Sequence, residues 1–395
     1  MGKRVAILGS TGSIGQNALQ VLAALGPEYE VAALTAHSRT DLLAEQLRRF
    51  QPKIAAITHP RCSPQNTPPP DGFRGELLFG PDALIEIASR DDIDIILCAV
   101  VGAAGLPALL AAARNGKRLA IANKEPLVIA GELLTRQAAG GGAEILPIDS
   151  EHSAVFQALL AGKPEEVRRI VLTASGGPFL HSRLEVMEEA TAQQALAHPI
   201  WRMGPKITVD SATMVNKALE VIEARWLFGL PVEKIDVLIH PESVIHSMVE
   251  FIDGSVIAQM GTPDMKTPIQ YALTYPHRKQ GLCRGLKLET LGRLTFQTPD
   301  LQRFRALAIG YEAARIGGSA PVVFNAANEE AVAAFLEGKI RFGRIIELIE
   351  QCLEAHSIQK DLSLEALLEI DHWAREQAHR YLECTNTIES QKERR

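Results

Sequence analysis

Short apolar runs alternate with amphipathic segments over the first 150 residues of this chain. The runs are rich in Val, Ile, Leu and Ala and are continuous, as in strands that are covered on both faces. The segments between them space their apolar residues like one face of a helix. This alternation predicts a doubly wound parallel sheet. The predicted strands are 5–8, 31–35, 54–57, 93–101, 118–122 and 143–148, and the predicted helices are 14–25, 40–50 and 106–116.

The pattern changes near residue 150 and predicts an α+β region. Asp253-Gly254 lies between two apolar runs and is a strong hairpin signal. The exposed face of this hairpin is too apolar for a monomer, so we expect a dimer interface there. The predicted elements are a strand at 167–177 that ends in a glycine pair, a strand running into a helix over 206–228, and strands at 234–239, 243–251 and 255–260.

Helical periodicity dominates after residue 300. The predicted helices are 304–317, 328–338, 343–356 and 363–385, followed by a charged, frayed tail at 389–395. The fold class that we predict is α/β, with an N-terminal Rossmann-like doubly wound parallel sheet, an α+β catalytic and dimerisation domain, and a C-terminal helical bundle. The predicted boundaries are 1–149, 150–274, a linker at 275–300, and 301–395.

Composition and charge exclude several classes of function. The chain has 395 residues, a formal net charge of −6 and no basic stripe, so we expect no nucleic-acid partner. Its five scattered cysteines fit reduced thiols in a cytosol better than disulfides or a zinc site. No apolar run approaches the ~20 residues that span a bilayer, and the run at 5–8 is too short for a signal peptide. We therefore expect a cytoplasmic protein without a membrane partner.

Glycines follow the first predicted strand at intervals of three residues. Gly9, Gly12 and Gly15 lie where strand 5–8 passes into helix 14–25. Glycine lets the backbone approach a pyrophosphate, and the helix N-terminus adds free amides and a positive dipole end. A glycine-rich string alone is often a plain tight turn, but this one has the strand-to-helix context of a dinucleotide site.

The end of the second predicted strand bears on which dinucleotide is bound. Enzymes that use NAD place an acid there to hold the ribose hydroxyls. This chain has Ser38 and Arg39 and no acid before Asp41. A serine and an arginine suit a 2′-phosphate, so NADPH is the predicted cofactor. The alternative is that Arg39 is only a solvated loop residue.

Two carboxylates, Asp149 and Glu151, follow the strand predicted at 143–148. If the extended conformation persists, both side chains point to one side, at the strand end where ligands bind in such sheets. Facing carboxylates repel each other unless a proton or a cation lies between them. A hard divalent ion is the natural occupant. Taken alone, however, an Asp-x-Glu triplet is more often a solvated acidic turn.

A second polar triplet, Asn123-Lys124-Glu125, follows the strand predicted at 118–122. Its position at a strand end directs it into the ligand crevice. Lys124 could hold a substrate hydroxyl or offset the nearby carboxylates. Alone, such a triplet would more often be a surface turn.

One face of the helix predicted within 209–224 is polar. Asn216, Lys217 and Glu220 are three or four residues apart and therefore lie together, and Ser211 is a plausible N-cap. A Lys/Glu pair at this spacing is usually a weak surface salt bridge. The alternative is that Glu220 is a third oxygen ligand, while Ser211, Asn216 and Lys217 bind a phosphate at the helix N-terminus.

Glycines, a tryptophan and a methionine mark the irregular stretch 175–205. This composition suits a lid that closes over a substrate and excludes water. The alternative is a mobile surface loop whose Trp201 packs on its own domain.

Six motifs together closely resemble the 1-deoxy-D-xylulose 5-phosphate reductoisomerase family, nearly from end to end. The block at 198–228 is the most specific of them. The motifs are GSTGSIG (9–15), ANKE (122–125), DSEHSA (149–154), SGGPF (175–179), HPIWRMGPKITVDSATMVNKALEVIEARWLF (198–228) and VLIHPESVIHSMV (237–249).

The resemblance implies an enzyme that converts 1-deoxy-D-xylulose 5-phosphate, a phosphorylated sugar, to 2-C-methyl-D-erythritol 4-phosphate in isoprenoid biosynthesis. It also implies NADPH and Mg²⁺ or Mn²⁺ as cofactors. The rearrangement of the carbon skeleton rests on the resemblance alone. An α-hydroxyketone can chelate a hard cation, which then stabilises the developing enolate as a Lewis acid.

The resemblance also assigns roles to residues of this sequence. The implied NADPH contacts are Thr11, Gly12, Ser13, Ile14, Asn123, Glu125 and Gly204, beside the Ser38 and Arg39 proposed above. The implied metal ligands are Asp149, Glu151 and Glu220. The implied substrate contacts are Lys124, Ser150, Glu151, Ser175, His198, Ser211, Asn216, Lys217 and Glu220. We count as catalytic Lys124, Asp149, Glu151, Glu220, His198 and the lid residue Trp201.

The chain departs from the family pattern after the second predicted strand. The family usually has a Gly-x-Asn-like turn there, and this chain has His37-Ser38-Arg39. The departure concerns the contacts to the adenosine phosphate, not the reaction.

Two other classes of function compete with this one. Another NADPH-dependent oxidoreductase of the same architecture, such as a semialdehyde dehydrogenase, would need an activated thiol at a helix start. Cys98, however, lies inside a predicted strand. A non-catalytic NADPH-binding protein would have no reason to concentrate three acids and two lysines.

Overall fold

The computed structural model of the chain describes residues 2–392, with side chains through residue 384. It contains two compact units. The first comprises the described residues through Pro126, Gly131–Phe156 and Asp264–Leu286. The second comprises Leu127–Ala130, Gln157–Pro263 and the described residues from Lys287 onward. The domain boundaries predicted from the sequence stay a prediction.

A seven-stranded parallel sheet is the core of the first unit. Its strands are β1 (Lys3–Leu8), β2 (Tyr29–Ala36), β3 (Ile54–Ile57), β4 (Glu76–Phe79), β5 (Ile95–Cys98), β6 (Arg118–Ile121) and β7 (Glu144–Pro147). Their order in space is β4-β3-β2-β1-β5-β6-β7. The chain therefore reverses its direction of winding between β1 and β5, and ligands of such sheets bind at the strand ends beside that point.

The continuous apolar runs are buried as expected for a sheet that is covered on both faces. Val5, Ile7, Ile96 and Leu97 are each at most 1% exposed. The predicted doubly wound sheet is thus confirmed. β4, which follows the proline-rich stretch at 62–75, was not predicted from the sequence.

Sixteen α-helices surround or follow the strands within the described residues. They are α1 (Ser13–Leu25), α2 (Thr40–Phe50), α3 (Asp82–Ser89), α4 (Leu106–Arg114), α5 (Glu125–Gly141), α6 (Ser150–Leu159), α7 (Leu184–Glu188), α8 (Ala192–Ala195), α9 (Pro205–Thr213), α10 (Val215–Phe228), α11 (Lys266–Thr274), α12 (Leu288–Leu291), α13 (Arg305–Ile316), α14 (Ala320–Leu336), α15 (Arg344–Glu354) and α16 (Leu364–Lys392).

The second unit contains a four-stranded mixed sheet. Its strands are β8 (Val167–Ala174), β9 (Ile235–Ile239), β10 (Ile245–Phe251) and β11 (Val256–Met260), in the order β11-β10-β8-β9. β10 and β11 form the predicted hairpin, and Gly254 in its turn has φ +87°. β11 lies at the edge of the sheet, with Val256 52% exposed.

The strand predicted at the start of 206–228 is wrong. Residues 205–213 form α9, which begins with Gly204 as N-cap and Pro205 in its first turn. Proline presets a helical φ there, and this start overrides the strand preference of the β-branched residues that follow. The N-cap role of Ser211 is also wrong, because Ser211 lies inside α9. Met214, in the left-handed conformation (φ 65°), separates α9 from α10.

The C-terminal bundle is confirmed as α13–α16: α15 and α16 pack mainly on the buried helix α14, whereas α13 packs mainly on α10. The last helix continues to Lys392, so the predicted frayed tail at 389–395 is helical as far as it is described, and 393–395 lie outside the described residues. No helix in the described part of the chain is long and apolar enough to cross a membrane.

Candidate active site

The loop after β1 has the shape of a dinucleotide-binding turn. Gly9 has φ +86°, which glycine adopts without strain. A Cβ on Gly9 would lie 2.6 Å from the carbonyl oxygen of Ala99, and one on Gly15 would lie 2.4 Å from the carbonyl oxygen of Gly9. Neither position therefore has room for a side chain. Since α1 begins directly after this loop, the closely packed turn fits a diphosphate at a helix N-terminus.

The predicted cofactor residues at the ends of β1 and β2 lie together. Ser38 and Arg39 are exposed after β2, and the Arg39 guanidinium donates from Nη1 to the carbonyl oxygen of Thr11 at 3.0 Å. His37 Nδ1 lies 3.0 Å from the hydroxyl of Thr58. The exposed Arg39 side chain thus contacts the glycine loop.

Lys124 and Asp149 form a buried ion pair between the ends of β6 and β7. Lys124 is the N-cap of α5, and Glu125 is the first residue of that helix. Burial raises the pKa of the Asp149 carboxyl, but the Lys124 ammonium and the His152 ring lower it by more. The pKa of Asp149 therefore lies well below its usual range, and the group is ionised. Asn123, just before them, is half-buried.

The extended geometry predicted for Asp149 and Glu151 is wrong. α6 begins at Ser150, so Glu151 lies in the first turn of a helix. The Ser150 hydroxyl donates to the Glu151 carboxylate. His152 Nδ1 lies 3.4 Å from a carboxylate oxygen of Asp149. Acidic side chains in a first helical turn are stabilised by the unpaired amides and the dipole, which explains why the strand does not continue.

The polar face predicted for α10 is present, but it is buried. Lys217 is 3% exposed and Glu220 is fully buried. The Lys217 ammonium pairs with one carboxylate oxygen of Glu220, and the Asn216 amide donates to the other at 2.5 Å. These contacts exclude the alternative of a solvated surface salt bridge. Ser211 lies on α9, close to α10 in the sequence. A Cβ on Gly177 would lie 2.8 Å from the carbonyl oxygen of Ser211.

His198 connects the tip of the predicted lid to the end of β8. Its Nδ1 accepts hydrogen bonds from the backbone N–H groups of Ile200 and Trp201 at 3.2 and 2.9 Å. Its Nε2 therefore carries the proton and donates to the Ser175 hydroxyl at 3.0 Å. Burial lowers the pKa of His198, which favours this neutral form.

The lid has an anchored base. The Arg303 guanidinium donates to the carbonyl oxygens of Leu180 and Ser182 at 2.6 and 3.0 Å, and the Gly343 N–H donates to that of Glu188 at 3.1 Å. At the other end, the Trp201 ring lies 6.3 Å from that of His246. The Trp201 ring therefore lies beside His246 of the same unit.

Two groups of side chains among the described residues offer ligand atoms within 4.8 Å of one another, close enough to share one metal ion. One group is Asp149, Glu151 and Glu220, the three acids predicted from the sequence. The other combines Asp149 with His152 and Glu223. The all-carboxylate group has the hard oxygen donors that Mg²⁺ and Mn²⁺ prefer, so its chemistry fits the predicted ion.

Sequence reasoning missed His152 and Glu223. Each follows a predicted ligand by three residues, which is one helical turn, and this spacing was the only local signal for them. Their burial (0% and 3% exposed) could not be read from the sequence.

Cys98 does not fit thioester chemistry. It is fully buried at the end of β5, and burial raises the pKa of its thiol to about 11. A thiol with this pKa is not activated.

Comparisons with known proteins point to one family. Three family profiles match the chain: "1-deoxy-D-xylulose 5-phosphate reductoisomerase" over 5–131, its "C-terminal domain" over 145–228, and "DXP reductoisomerase C-terminal domain" over 260–377. The 1-deoxy-D-xylulose 5-phosphate reductoisomerase of Trichlorobacter lovleyi is 48% identical over 388 residues, which cover 98% of this chain and 99% of that protein.

Solved structures agree over the whole fold. The Zymomonas mobilis reductoisomerase in complex with NADPH is 43% identical, with a TM-score of 0.91 over 97% of this chain and all of that one. A reductoisomerase in complex with NADPH, fosmidomycin and magnesium is 42% identical, with a TM-score of 0.92 over 96% of this chain and 98% of that one.

Proposed function

Because this chain belongs to the 1-deoxy-D-xylulose 5-phosphate reductoisomerase family, we propose that its glycine loop and the acids Asp149, Glu151 and Glu220 carry out that family's reaction. The enzyme converts 1-deoxy-D-xylulose 5-phosphate to 2-C-methyl-D-erythritol 4-phosphate with NADPH and a divalent metal ion. The observation that carries the assignment of residues is the grouping of Asp149, Glu151 and Glu220 within 4.8 Å.

Asp149, Glu151 and Glu220 hold the ion in this proposal. When bound, the ion supplies Lewis-acid stabilisation of negative charge on the substrate, and NADPH supplies the hydride. Three carboxylates and one divalent cation leave a single net negative charge. The Lys124 ammonium, already paired with Asp149, balances it and stands ready to donate to a substrate oxygen. The related reductoisomerase structure with NADPH and fosmidomycin contains magnesium, and manganese fits the same oxygen donors.

Asn216, Lys217 and Ser211 bind the substrate's phosphate in this proposal. Asn216 and Lys217 lie in the first turn of α10, where the unpaired amides and the dipole favour an anion. Lys217 also compensates the buried charge of Glu220. Ser150 and Ser175 offer hydroxyls to the rest of the substrate, and both side chains are already fixed by hydrogen bonds.

The lid excludes water and holds the substrate during the reaction. His198 positions its tip through the backbone of Trp201, and Trp201 supplies an apolar cover. The proposed NADPH contacts are backbone and side-chain groups near the glycine loop and the ends of α5 and α9. They are Thr11, Gly12, Ser13, Ile14, Ser38, Arg39, Asn123, Glu125 and Gly204.

We also propose that the enzyme is a cytoplasmic homodimer. The edge strand β11 supports the dimer, because its backbone has a free side and its apolar residues Val256 and Ile257 are exposed. The five cysteines are all free thiols, which suits a reducing compartment.

A single assay tests this function. Purified protein is mixed with NADPH, 1-deoxy-D-xylulose 5-phosphate and Mg²⁺ or Mn²⁺, and the absorbance of the reduced nicotinamide is followed. We expect oxidation that stops on addition of EDTA and resumes with added metal. Turnover that continues in EDTA would remove the role of the three acids.

A further inference from the structure

The glycine loop is hydrogen-bonded to Thr35, a residue that has no role in the proposed function. Thr35, at the end of β2, is 1% exposed. Its hydroxyl accepts from the Gly9 N–H at 2.9 Å, and its carbonyl oxygen accepts from the Ser10 N–H at 2.8 Å. The loop is therefore fastened to β2 as far as Ser10.

Gln46, which lies on α2, also hydrogen-bonds the glycine loop. It is 6% exposed, and its neighbours Leu43 and Leu47 are 1% exposed. The Ser10 hydroxyl donates to Gln46 Oε1 at 2.6 Å, and Gln46 Nε2 donates to the Ser10 carbonyl oxygen at 2.9 Å. A buried carboxamide is costly unless it is hydrogen-bonded, and here both ends of the amide are satisfied by one residue of the loop.

The bond to the Ser10 carbonyl has a directional consequence. In a trans peptide the C=O of one residue and the N–H of the next point in opposite directions. By holding the Ser10 carbonyl oxygen, Gln46 turns the Thr11 N–H away from α2. The Thr11 carbonyl oxygen is held in the same way by Gln16 Nε2 and Arg39 Nη1, each at 3.0 Å.

We propose that Gln46 is a positioning residue for the dinucleotide, which keeps the Ser10 carbonyl oxygen away from the cofactor diphosphate and aims the Thr11 N–H at it. The proposal rests on the proposed binding of NADPH at the glycine loop. A carbonyl oxygen turned toward a diphosphate would repel it, whereas an N–H donates to it. Gln46 therefore affects the part of the cofactor that NADPH and NADH share.

The test replaces Gln46 by Met, which keeps the length of the side chain and removes both hydrogen bonds. We expect the Kd for NADPH, measured by nucleotide fluorescence without substrate, to rise about tenfold, the effect of losing one well-aligned hydrogen bond. The Kd for NADH should rise by the same factor. The turnover number at saturating NADPH and the KM for the sugar phosphate should stay within twofold of the parent enzyme.

Two controls separate positioning from general loosening. Gln20→Met makes the same change at an exposed position of α1 and should leave both Kd values unchanged. Adenosine 2′-monophosphate, which lacks the diphosphate, should inhibit Gln46→Met as well as it inhibits the parent enzyme. Should Gln46→Met fail to fold, Gln46→Glu takes its place, since glutamate keeps the acceptor for Ser10 but cannot donate to its carbonyl oxygen.

An unchanged Kd for NADPH in the folded variant would overturn the inference, and so would weaker binding of adenosine 2′-monophosphate. If the parent enzyme bound neither dinucleotide, the proposed function would fail instead, so the two failures are distinguishable.

Discussion

Lys124 and Lys217 each place an ammonium group against a buried carboxylate. A buried ion pair is weak evidence for stability, because the cost of desolvation offsets much of the attraction. Two such pairs, at residues that the sequence marked for substrate and metal, are better explained by function. The lowered pKa of Asp149 keeps its carboxyl group ionised, which is the form that the proposed cation needs.

Glu220 is the most deeply buried of the three proposed metal ligands. Replacing Glu220 by Gln keeps the shape and the hydrogen bond to Asn216 but removes one charge. We expect turnover to fall by roughly a hundredfold or more, because several kcal/mol of charge stabilisation are lost. The metal concentration for half-maximal activity should rise, while the Kd for NADPH stays the same.

Glu223→Gln is the matched control, one turn further along α10. Glu223 belongs to the alternative group with Asp149 and His152. In Glu223→Gln, the metal concentration for half-maximal activity should therefore change much less than in Glu220→Gln. The opposite ranking of the two variants would place the ion at the alternative group.

Arg39 decides between cofactors in our proposal. Replacing Arg39 by Asp should raise the KM for NADPH by roughly tenfold or more relative to NADH, since a charge-assisted hydrogen bond to the 2′-phosphate is lost. The ratio of the two KM values matters, because Arg39 also holds the Thr11 carbonyl oxygen, which affects both cofactors. Arg48→Asp, with the same change of charge on α2, is the control. Equal effects on NADPH and NADH would show that Arg39 does not contact the 2′-phosphate.

At the scale of elements, the proposed lid has a base that Arg303 anchors and a tip that His198 contacts. Because Arg303 hydrogen-bonds the backbone at Leu180 and Ser182, we expect any closing motion to involve the tip. The contact of His198 Nδ1 with the Trp201 N–H requires a neutral ring. The lid should therefore respond to pH.

The sign of this response follows from the lowered pKa of His198. The ordinary pKa of a histidine is 6.5. Above that pH the neutral ring of His198 therefore contributes its full stabilisation to the tip of the lid. This stabilisation is lost as the pH falls through the lower pKa of the folded protein. We expect the KM for the sugar phosphate to rise on the acidic side in the parent enzyme. In His198→Gln, which cannot titrate, this component of the pH profile should be absent; an unchanged acidic limb would mean that another group causes it.

At the scale of the whole molecule, the exposed hairpin predicts self-association. Sedimentation should give twice the chain mass of 43.0 kDa. Val256→Glu on the edge strand β11 should shift the protein toward monomer, because a charge there opposes pairing of strand edges. Leu160→Glu, at a residue that is 56% exposed in the same unit, should leave the mass unchanged. A monomeric parent enzyme would refute the homodimer.

Periodicity and glycine placement allowed much of the fold to be predicted from the sequence. Six of the seven strands of the parallel sheet, the turn at Gly9 and the hairpin at Gly254 follow from local signals. A continuous apolar run indicates a buried strand, and glycine marks a position with positive φ. The shared face of Lys217 and Glu220 also follows, since a helix fixes side chains three residues apart.

Only the tertiary structure decided how these elements meet. It placed Glu151 in a helical turn instead of a strand, turned residues 206–209 into α9, and grouped Glu151 with Asp149 and Glu220, some 70 residues later in the chain. It also buried Gln46 against Ser10. The grouping of the acids and the burial of Gln46 depend on partners that are distant in the sequence. At α6 and α9, the stabilisation of a helix start by Glu151 and Pro205 outweighed the strand preference of the neighbouring residues.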